Sequence, residues 1–317
     1  MRLSTLTRTP ADFPLLPSAL GGAALLVACL AGCSAPANDD GGGLSTAPTT
    51  TTTANPPLTP GGMFDTGATG APAPTSDTIF AAGTEVNVAG EVPVIGNAVC
   101  GGSNIVGTLR DFTDQHPDFE NLEEKGRFYG FEPGIVGTTI TADRKPPYVG
   151  GIGRTTSGPE NFSQWYSTVD GVNQVIFYAL EFTPSASGTS VFDSAPFGGF
   201  FPIDNMLFGN GPFPPGTTTY THNYHFTFEF HTRFAYNPGD VFTFRGDDDV
   251  WVYINDQLVC DLGGVHAPLT CEVALDTLGL VSGEEYLFDF FFAERHIIDA
   301  NFRIETNLIF QECNVLR

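Results

Sequence analysis

The feature that most constrains the fold is the regular alternation of phenylalanine with polar residues in the second half of the chain. Residues 225–231 read His-Phe-Thr-Phe-Glu-Phe-His. In an extended strand the phenylalanines lie on one face and the polar residues on the other. We interpret the polar face as exposed to solvent, with a transition-metal site as the alternative use of His225, Glu229 and His231.

Further segments show the same strand character, and clusters of glycine and proline separate them. They are residues 175–182, 241–244, 250–254, 286–292 and 302–306. Phe-rich alternation with frequent turns predicts an all-β fold, a two-sheet antiparallel β-sandwich of the lectin-like jelly-roll kind with long loops. We expect one folded domain that covers residues 78–317.

The beginning of the chain has the pattern of a bacterial lipoprotein leader, with an early positive charge and an apolar run that ends in Leu-Ala-Gly-Cys at residues 30–33. This predicts a signal peptide over residues 1–32 and lipidation of Cys33; an ordinary secretory signal is the alternative. Residues 33–77 are rich in Thr, Pro, Gly and Ala, which predicts a flexible tether. The expected location is the outer membrane or cell surface, reached through the lipid anchor alone.

The balance of charge limits the possible partners. The net charge is −23, and a chain this acidic repels phosphate, which argues against nucleic-acid binding. The composition suits a protein that binds cations or neutral, hydroxyl-rich ligands.

Beyond the leader and Cys33, the cysteines are Cys100, Cys260, Cys271 and Cys313. Four cysteines in an oxidising compartment allow three disulfide connectivities. The short spacing of Cys260 and Cys271 favours a local bridge. Cys100 and Cys313 would then join the two ends of the domain.

Three adjacent carboxylates form what we call the acidic turn, Asp247–Asp249, at the start of the segment Gly-Asp-Asp-Asp-Val-Trp-Val-Tyr-Ile-Asn-Asp. Neighbouring negative charges repel one another unless a cation or hydrogen-bond donors offset them. Carboxylate oxygens are the ligands that calcium selects. The turn is therefore a candidate calcium site, and a solvated hairpin turn is the simpler alternative.

Several other short motifs surround this segment in order along the chain. They are Leu-Arg-Asp-Phe (109–112), His-Pro-Asp-Phe-Glu (116–120), Asn-Phe-Ser-Gln-Trp-Tyr (161–166), Gly-Val-Asn (171–173), Leu-Gly-Gly-Val-His (262–266), Ala-Glu-Arg-His (293–296) and Asn-Phe-Arg (301–303). With the acidic segment, they resemble the fibro-slime domain over about residues 100–311. That domain is similar to the β-sandwich lectin domain of anthrax protective antigen and the yeast flocculins.

The resemblance implies a role for the acidic turn. In those lectins two neighbouring aspartates, joined by a cis peptide bond, hold a calcium ion that ligates sugar hydroxyls. The matching pair here is Asp247 and Asp248. Asp249 stands where the lectins commonly carry Gly, and it could add a ligand or alter the turn. Asp299 and Asn301 are candidates to complete the calcium shell.

Residues around the turn are further candidates for ligand binding. Trp251 and Tyr253 share one face of their strand and could stack on a sugar or belong to the core, and Trp165 with Tyr166 is an alternative platform. His266, Arg295 and His296 could line a pocket. A polar cluster that pins the loops is the structural alternative for these three residues and Glu294.

These features favour a non-catalytic, calcium-dependent adhesion or carbohydrate-binding module with glycans or extracellular matrix as partners. The second possibility is a structural slime or matrix protein that acts through protein contacts. A glycosidase that pairs Asp248 with Glu294 comes last. The sequence contains no nucleophile elbow, zinc signature or phosphate loop.

Overall fold

The structure, a computed structural model, describes residues 78–81, 94–97, 99–102, 104–120, 122–150, 153–213 and 220–315. The predicted signal peptide, Cys33 and the tether lie outside these residues. In the part of the chain that is described, no helix is long and apolar enough to cross a membrane.

Strands dominate the described residues. The strands are β1 (Thr78–Ala81), β2 (Val94–Ile95), β3 (Asn104–Asp111), β4 (Gly130–Phe131), β5 (Gln174–Glu181), β6 (Thr183–Pro184), β7 (Ser190–Asp193), β8 (Phe226–Ala235), β9 (Val241–Gly246), β10 (Asp249–Ile254), β11 (Gln257–Leu262), β12 (Gly264–Val265), β13 (Leu269–Ala274), β14 (Glu285–Glu294), β15 (Phe302–Thr306) and β16 (Glu312–Val315). One short α-helix, α1 (Pro159–Phe162), and two 3-10 turns (Ala195–Phe197 and Leu275–Leu278) interrupt them.

The strands form two principal sheets. Sheet 1 has the order β11-β10-β14-β8-β3-β5-β2, and β16 joins β1 to β8. Sheet 2 has the order β13-β9-β15-β7-β6, and β12 pairs with β4 in a separate ribbon. Every pairing between these strands is antiparallel except that of β2 with β5. The predicted all-β sandwich is confirmed.

Phenylalanine fills the space between the two sheets, as the alternation predicts. Phe226, Phe228 and Phe230 of β8 are fully buried in this core. From sheet 2, the ring of Phe302 lies 5.1 Å from that of Phe292 in an edge-to-face contact. Such aromatic pairs add to the stability gained from burial of apolar area.

The predicted solvent exposure of the polar face of β8 is wrong. His225, Glu229 and His231 are all buried, because the segment 112–166 covers the outer face of sheet 1. Its apolar side chains form a second hydrophobic cluster with residues of that face. The fully buried members are Phe119, Ile135, Trp165, Trp251, Tyr253, Phe291 and Ala293.

Ion pairs compensate the buried charges on this covered face. Glu229 accepts hydrogen bonds from Arg110 (2.6 Å), Lys145 (2.7 Å) and His231 (3.2 Å). Burial raises the pKa of Glu229, but Lys145 and Arg110 outweigh it, and the pKa falls well below its usual range. His225 instead contacts Glu120, so the three side chains proposed for a transition metal do not converge on one point.

Both predicted disulfides are present. Cys100 pairs with Cys313 across 213 residues of sequence, and Cys260 pairs with Cys271 across 11 residues. The second bridge joins β11 of sheet 1 to β13 of sheet 2. It therefore closes the sandwich beside the strand that carries the acidic turn.

Candidate functional site at the acidic turn

The acidic turn connects β9 of sheet 2 to β10 of sheet 1. Gly246 ends β9, and a Cβ at this position would overlap the carbonyl oxygen of Asn301. Only glycine therefore allows the loop before β15 to pack against the turn. The peptide bond between Asp247 and Asp248 is cis, as the resemblance to the lectins implies.

Asp247 is held by the loop that precedes β15. Its Oδ1 accepts a hydrogen bond from the backbone N–H of Asn301 (2.5 Å), and its Oδ2 accepts one from Asn301 Nδ2 (3.0 Å). Burial raises the pKa of Asp247, while the hydrogen bonds from Asn301 act in the opposite direction. Asn301 thus orients this carboxylate.

Asp248 lies between two other segments. Its Oδ1 accepts from the backbone N–H of His266 (3.0 Å), and its Oδ2 accepts from that of Arg295 (3.2 Å). Burial raises its pKa well above the usual range, and the charges of Asp249 and Asp247 add to the rise, while Arg295 opposes it. A bound cation would favour the ionised form of this carboxylate.

Of the two possibilities for Asp249, a further calcium ligand or an altered turn, the contacts of its side chain favour a structural role in the turn. Its Oδ2 forms an ion pair with Arg295 Nε (2.6 Å), and its Oδ1 accepts from the backbone N–H of Gly264 (2.5 Å). Both side chains of the ion pair are fully buried. With its two oxygens engaged in this way, Asp249 fixes the positions of the segments that surround Asp248.

Asp247 and Asp248 line a cavity of about 340 Å³ at this end of the sandwich. The lining residues are Tyr129, Asp247, Asp248, Val265, His266, Ala267, Pro268, His296, Ile298 and Asp299. The structure therefore brings together five residues singled out from the sequence, Asp247, Asp248, His266, His296 and Asp299. Among the described residues, no group of three or more His, Cys, Asp or Glu side chains is arranged as a ready metal site.

The expected ligand contacts of Trp251, Tyr253 and Arg295 are wrong, because all three side chains are fully buried. Trp251 Nε1 donates to Asp261 Oδ1 (3.0 Å), and Tyr253 Oη donates to the carbonyl oxygen of Gly137 (2.8 Å). Neither ring offers a face to a sugar.

The alternative platform of Trp165 and Tyr166 is buried as well. The guanidinium of Arg295 lies 4.8 Å from the centre of the Trp165 ring. Trp165 thus packs against the guanidinium that pairs with Asp249.

Two exposed aromatic side chains that the sequence reasoning missed lie near this cavity: Tyr129 lines it, and Phe131 contacts the lining residue His266. Tyr129 is 36% exposed and Phe131 is 45% exposed. The Tyr129 ring centre lies 4.5 Å from that of His296, and the Phe131 ring centre lies 5.7 Å from that of His266. The signal in the sequence is the run Phe-Tyr-Gly-Phe, three aromatic residues around a glycine in a short stretch.

Glu294, the last residue of β14, follows Ala293, which pairs with Asp249 of β10, and is fully buried. Its Oε1 accepts from the backbone N–H of His296 (3.3 Å), whereas its Oε2 has no hydrogen-bond partner among the described residues. Burial raises its pKa well above the usual range, and the charges of Asp248 and Asp247 raise it further.

Glu120 anchors the cavity residue His296. Its Oε1 contacts His296 Nδ1 (3.0 Å), and its Oε2 contacts His225 Nε2 (3.3 Å) and accepts from the backbone N–H of Ile297 (3.1 Å). Burial raises the pKa of Glu120, but the hydrogen bonds from His225 and His296 outweigh it and lower the pKa from 4.5 to about 2.

This depressed pKa predicts a pH dependence of stability. Glu120 contributes stability that is fully present above pH 4.5 and is lost as the pH falls towards 2, because the folded state then binds its proton less readily than the unfolded state. We expect the free energy of unfolding of Glu120→Gln to fall by roughly 1–3 kcal/mol less than that of the wild type when the pH is lowered. Urea unfolding of the calcium-free protein at pH 5 and pH 2.5 measures it. The exposed Glu284→Gln is the control, and an unchanged acid-induced loss in Glu120→Gln would contradict the assignment.

Comparison with known protein families finds a match for the part of the chain that contains this site. Residues 214–307 match the model of the PA14 domain. This range contains the acidic turn, the His266 segment and the loop that holds Asp247.

The chain is also similar to psi proteins of Dictyostelium discoideum. It is 38% identical to protein psiQ over 213 residues, which cover 64% of this chain and 22% of psiQ. It is 40% identical to protein psiE over 214 residues, which cover 62% of this chain and 42% of psiE. The chain thus spans about a fifth to two fifths of the length of these curated relatives.

A solved structure of a beta-glucosidase from Kluyveromyces marxianus in complex with glucose is also similar. The alignment covers 58% of this chain and 20% of the beta-glucosidase chain, with 14% identity and a TM-score of 0.25. A TM-score this low does not establish a common fold. The acidic turn and the three segments that hold it therefore lie in a region that matches the PA14 domain, in a chain similar to the psi proteins.

Proposed function

We propose that this protein is a non-catalytic, surface-displayed module that binds carbohydrate through a calcium ion held by Asp247 and Asp248. The observation that carries this proposal is the position of the two carboxylates. They are adjacent in sequence, they are oriented by three different segments, and they line one cavity at the end of the sandwich. The match of residues 214–307 to the PA14 domain supports it.

The residues fit a calcium ion in their chemistry. Calcium prefers about six to eight oxygen ligands, among which carboxylates are common. Asp247 and Asp248 have raised pKa values because they are buried close to other carboxylates, and a divalent cation would relieve that repulsion. Asp299 on the cavity wall could add a further oxygen. The bound ion would supply open coordination positions for hydroxyl oxygens of a ligand.

The cavity favours a neutral ligand with an apolar ring face. No Lys or Arg lines it, so it offers no fixed positive charge to a sulfated or carboxylated sugar. The partly exposed ring of Tyr129 lines it, and the partly exposed ring of Phe131 contacts its lining residue His266. Aromatic rings of this kind pack against the C–H face of a pyranose, which makes Tyr129 our candidate for the stacking residue in place of Trp251 and Tyr253.

We further propose that the chain is a member of the fibro-slime family and acts outside the cell. The predicted signal peptide over residues 1–32, lipidation of Cys33 and the tether of residues 33–77 would display the domain at the outer membrane or cell surface. The partners would be glycans or matrix components, and nucleic acid would be excluded by the charge of −23.

A glycan array with and without EDTA tests this proposal. We expect the wild type to bind neutral glycans only when calcium is present. Asp248→Asn should lose ~100-fold or more of its calcium affinity. Tyr129→Ala should lose glycan binding but keep calcium binding. Phe197→Ala is the matched control, because Phe197 is 80% exposed and lies outside this cavity. Glycan binding that survives EDTA would overturn the calcium mechanism. Homotypic or matrix binding that survives EDTA, without glycan binding, would favour the structural matrix protein instead.

A further inference from the structure

We propose that Glu294 is a third carboxylate ligand, which approaches the cation of Asp247 and Asp248 from inside the protein. This inference rests on the proposed function. It converts a site with two carboxylates into one with three, which suits a small, hard cation of charge +2 or +3.

The first argument is position. The backbone N–H of Arg295, the residue that directly follows Glu294 in the chain, donates to Asp248 Oδ2 (3.2 Å). The strand register agrees, because Ala293 of β14 is paired with Asp249 of β10. Glu294 is thus next to the acidic turn in space although it is distant in sequence.

The second argument is the unsatisfied oxygen. Glu294 is 0% exposed, and its Oε2 lacks any hydrogen-bond partner in the described part of the chain. Leaving a buried carboxylate oxygen without a donor is costly, and native proteins seldom tolerate it without a role such as binding an ion. An ion bound by Asp247 and Asp248 would give this atom the partner that it lacks.

The third argument is that the nearby cationic groups are engaged elsewhere. The Arg295 guanidinium donates to Asp249 and to the carbonyl oxygens of Asp118 and Thr155. The ring nitrogens of His266 contact carbonyl oxygens, and His296 Nδ1 contacts Glu120. None of these contacts is made with Glu294 Oε2. A bound cation would give Glu294 Oε2 the partner that these groups do not supply.

The test compares Glu294→Gln with the wild type by calorimetric calcium titration and by thermal melting in EDTA and in calcium. We expect Glu294→Gln to bind calcium ~10-fold or more weakly. In EDTA it should melt at the same temperature as the wild type or higher, because glutamine keeps the shape of the side chain and carries no charge. Calcium should raise its melting temperature by less than it raises that of the wild type. Glu284→Gln, on the exposed surface, is the control and should match the wild type in both measurements.

Three outcomes overturn the inference. Unchanged calcium affinity in Glu294→Gln would show that Glu294 is no ligand. Equal lowering of the melting temperature in EDTA and in calcium, or failure to fold in EDTA, would show a purely structural role. If Asp248→Asn still weakens calcium binding in these cases, the proposed function survives without Glu294. If the wild type binds no calcium, both proposals fail.

Discussion

Replacement of Arg295 by methionine is expected to lower the free energy of unfolding by about 3–5 kcal/mol, because it leaves a buried carboxylate without its cation. Asp249 and Arg295 are both fully buried and pair at 2.6 Å. The same guanidinium also donates to the carbonyl oxygens of Asp118 and Thr155, which would lose these donors. Methionine keeps most of the volume, so the loss reports charge and hydrogen bonds more than a cavity.

Urea unfolding in EDTA measures this effect without a contribution from calcium. Arg303→Met is the matched control, since the carboxylates that Arg303 contacts, Asp193 and Glu305, are about a third exposed. Partly exposed ion pairs are worth roughly 0–1 kcal/mol. A loss in Arg295→Met no larger than that in Arg303→Met would contradict the structural role of the Asp249–Arg295 pair.

The second large effect is expected from the disulfide that spans the domain. Removal of the Cys100–Cys313 bridge, by changing both residues to alanine, should cost about 5 kcal/mol, because the bridge closes a loop of more than 200 residues in the unfolded chain. The bridge also packs in a small hydrophobic cluster with Val106 and Phe177. We expect the variant to unfold at a markedly lower urea concentration.

The Cys260–Cys271 bridge provides the comparison within the same protein. Its sequence separation is 11 residues, and the same chain-entropy model gives about 3 kcal/mol for its removal. Parallel urea titrations of the two double alanine variants should therefore show the greater loss for Cys100 and Cys313. The reverse order would mean that local contacts between β11 and β13, and not loop length, decide the contribution of these bridges.

The strands that could be predicted are rich in aromatic and β-branched residues. The alternation of Phe with polar residues in β8 and the run of Phe in β14 are visible in the sequence, and the structure places both strands in the centre of sheet 1. β3 was not predicted as a strand, because all of its residues are buried and its sequence shows no alternation. Its contact with β8 crosses more than a hundred residues of sequence, and no local pattern reveals it.

The candidate site was likewise predictable only in part. The sequence singled out Asp247, Asp248, His266 and residues of the 294–301 segment, and the structure brings these residues into contact. For Trp251 and Tyr253 the core alternative is the correct one, and the sequence could not decide it, because alternation tells which residues share a face but not what covers that face. The covering segment is distant in sequence, and so is Tyr129, which it carries to the cavity.

The central claim is that Asp247 and Asp248 hold a cation. Anomalous diffraction from a crystal soaked in terbium, a luminescent substitute for calcium, tests it most directly. We predict one strong peak within about 2.6 Å of carboxylate oxygens of both Asp247 and Asp248. A soaked crystal in which this position has no peak, while binding of glycans in solution persists, would contradict the account.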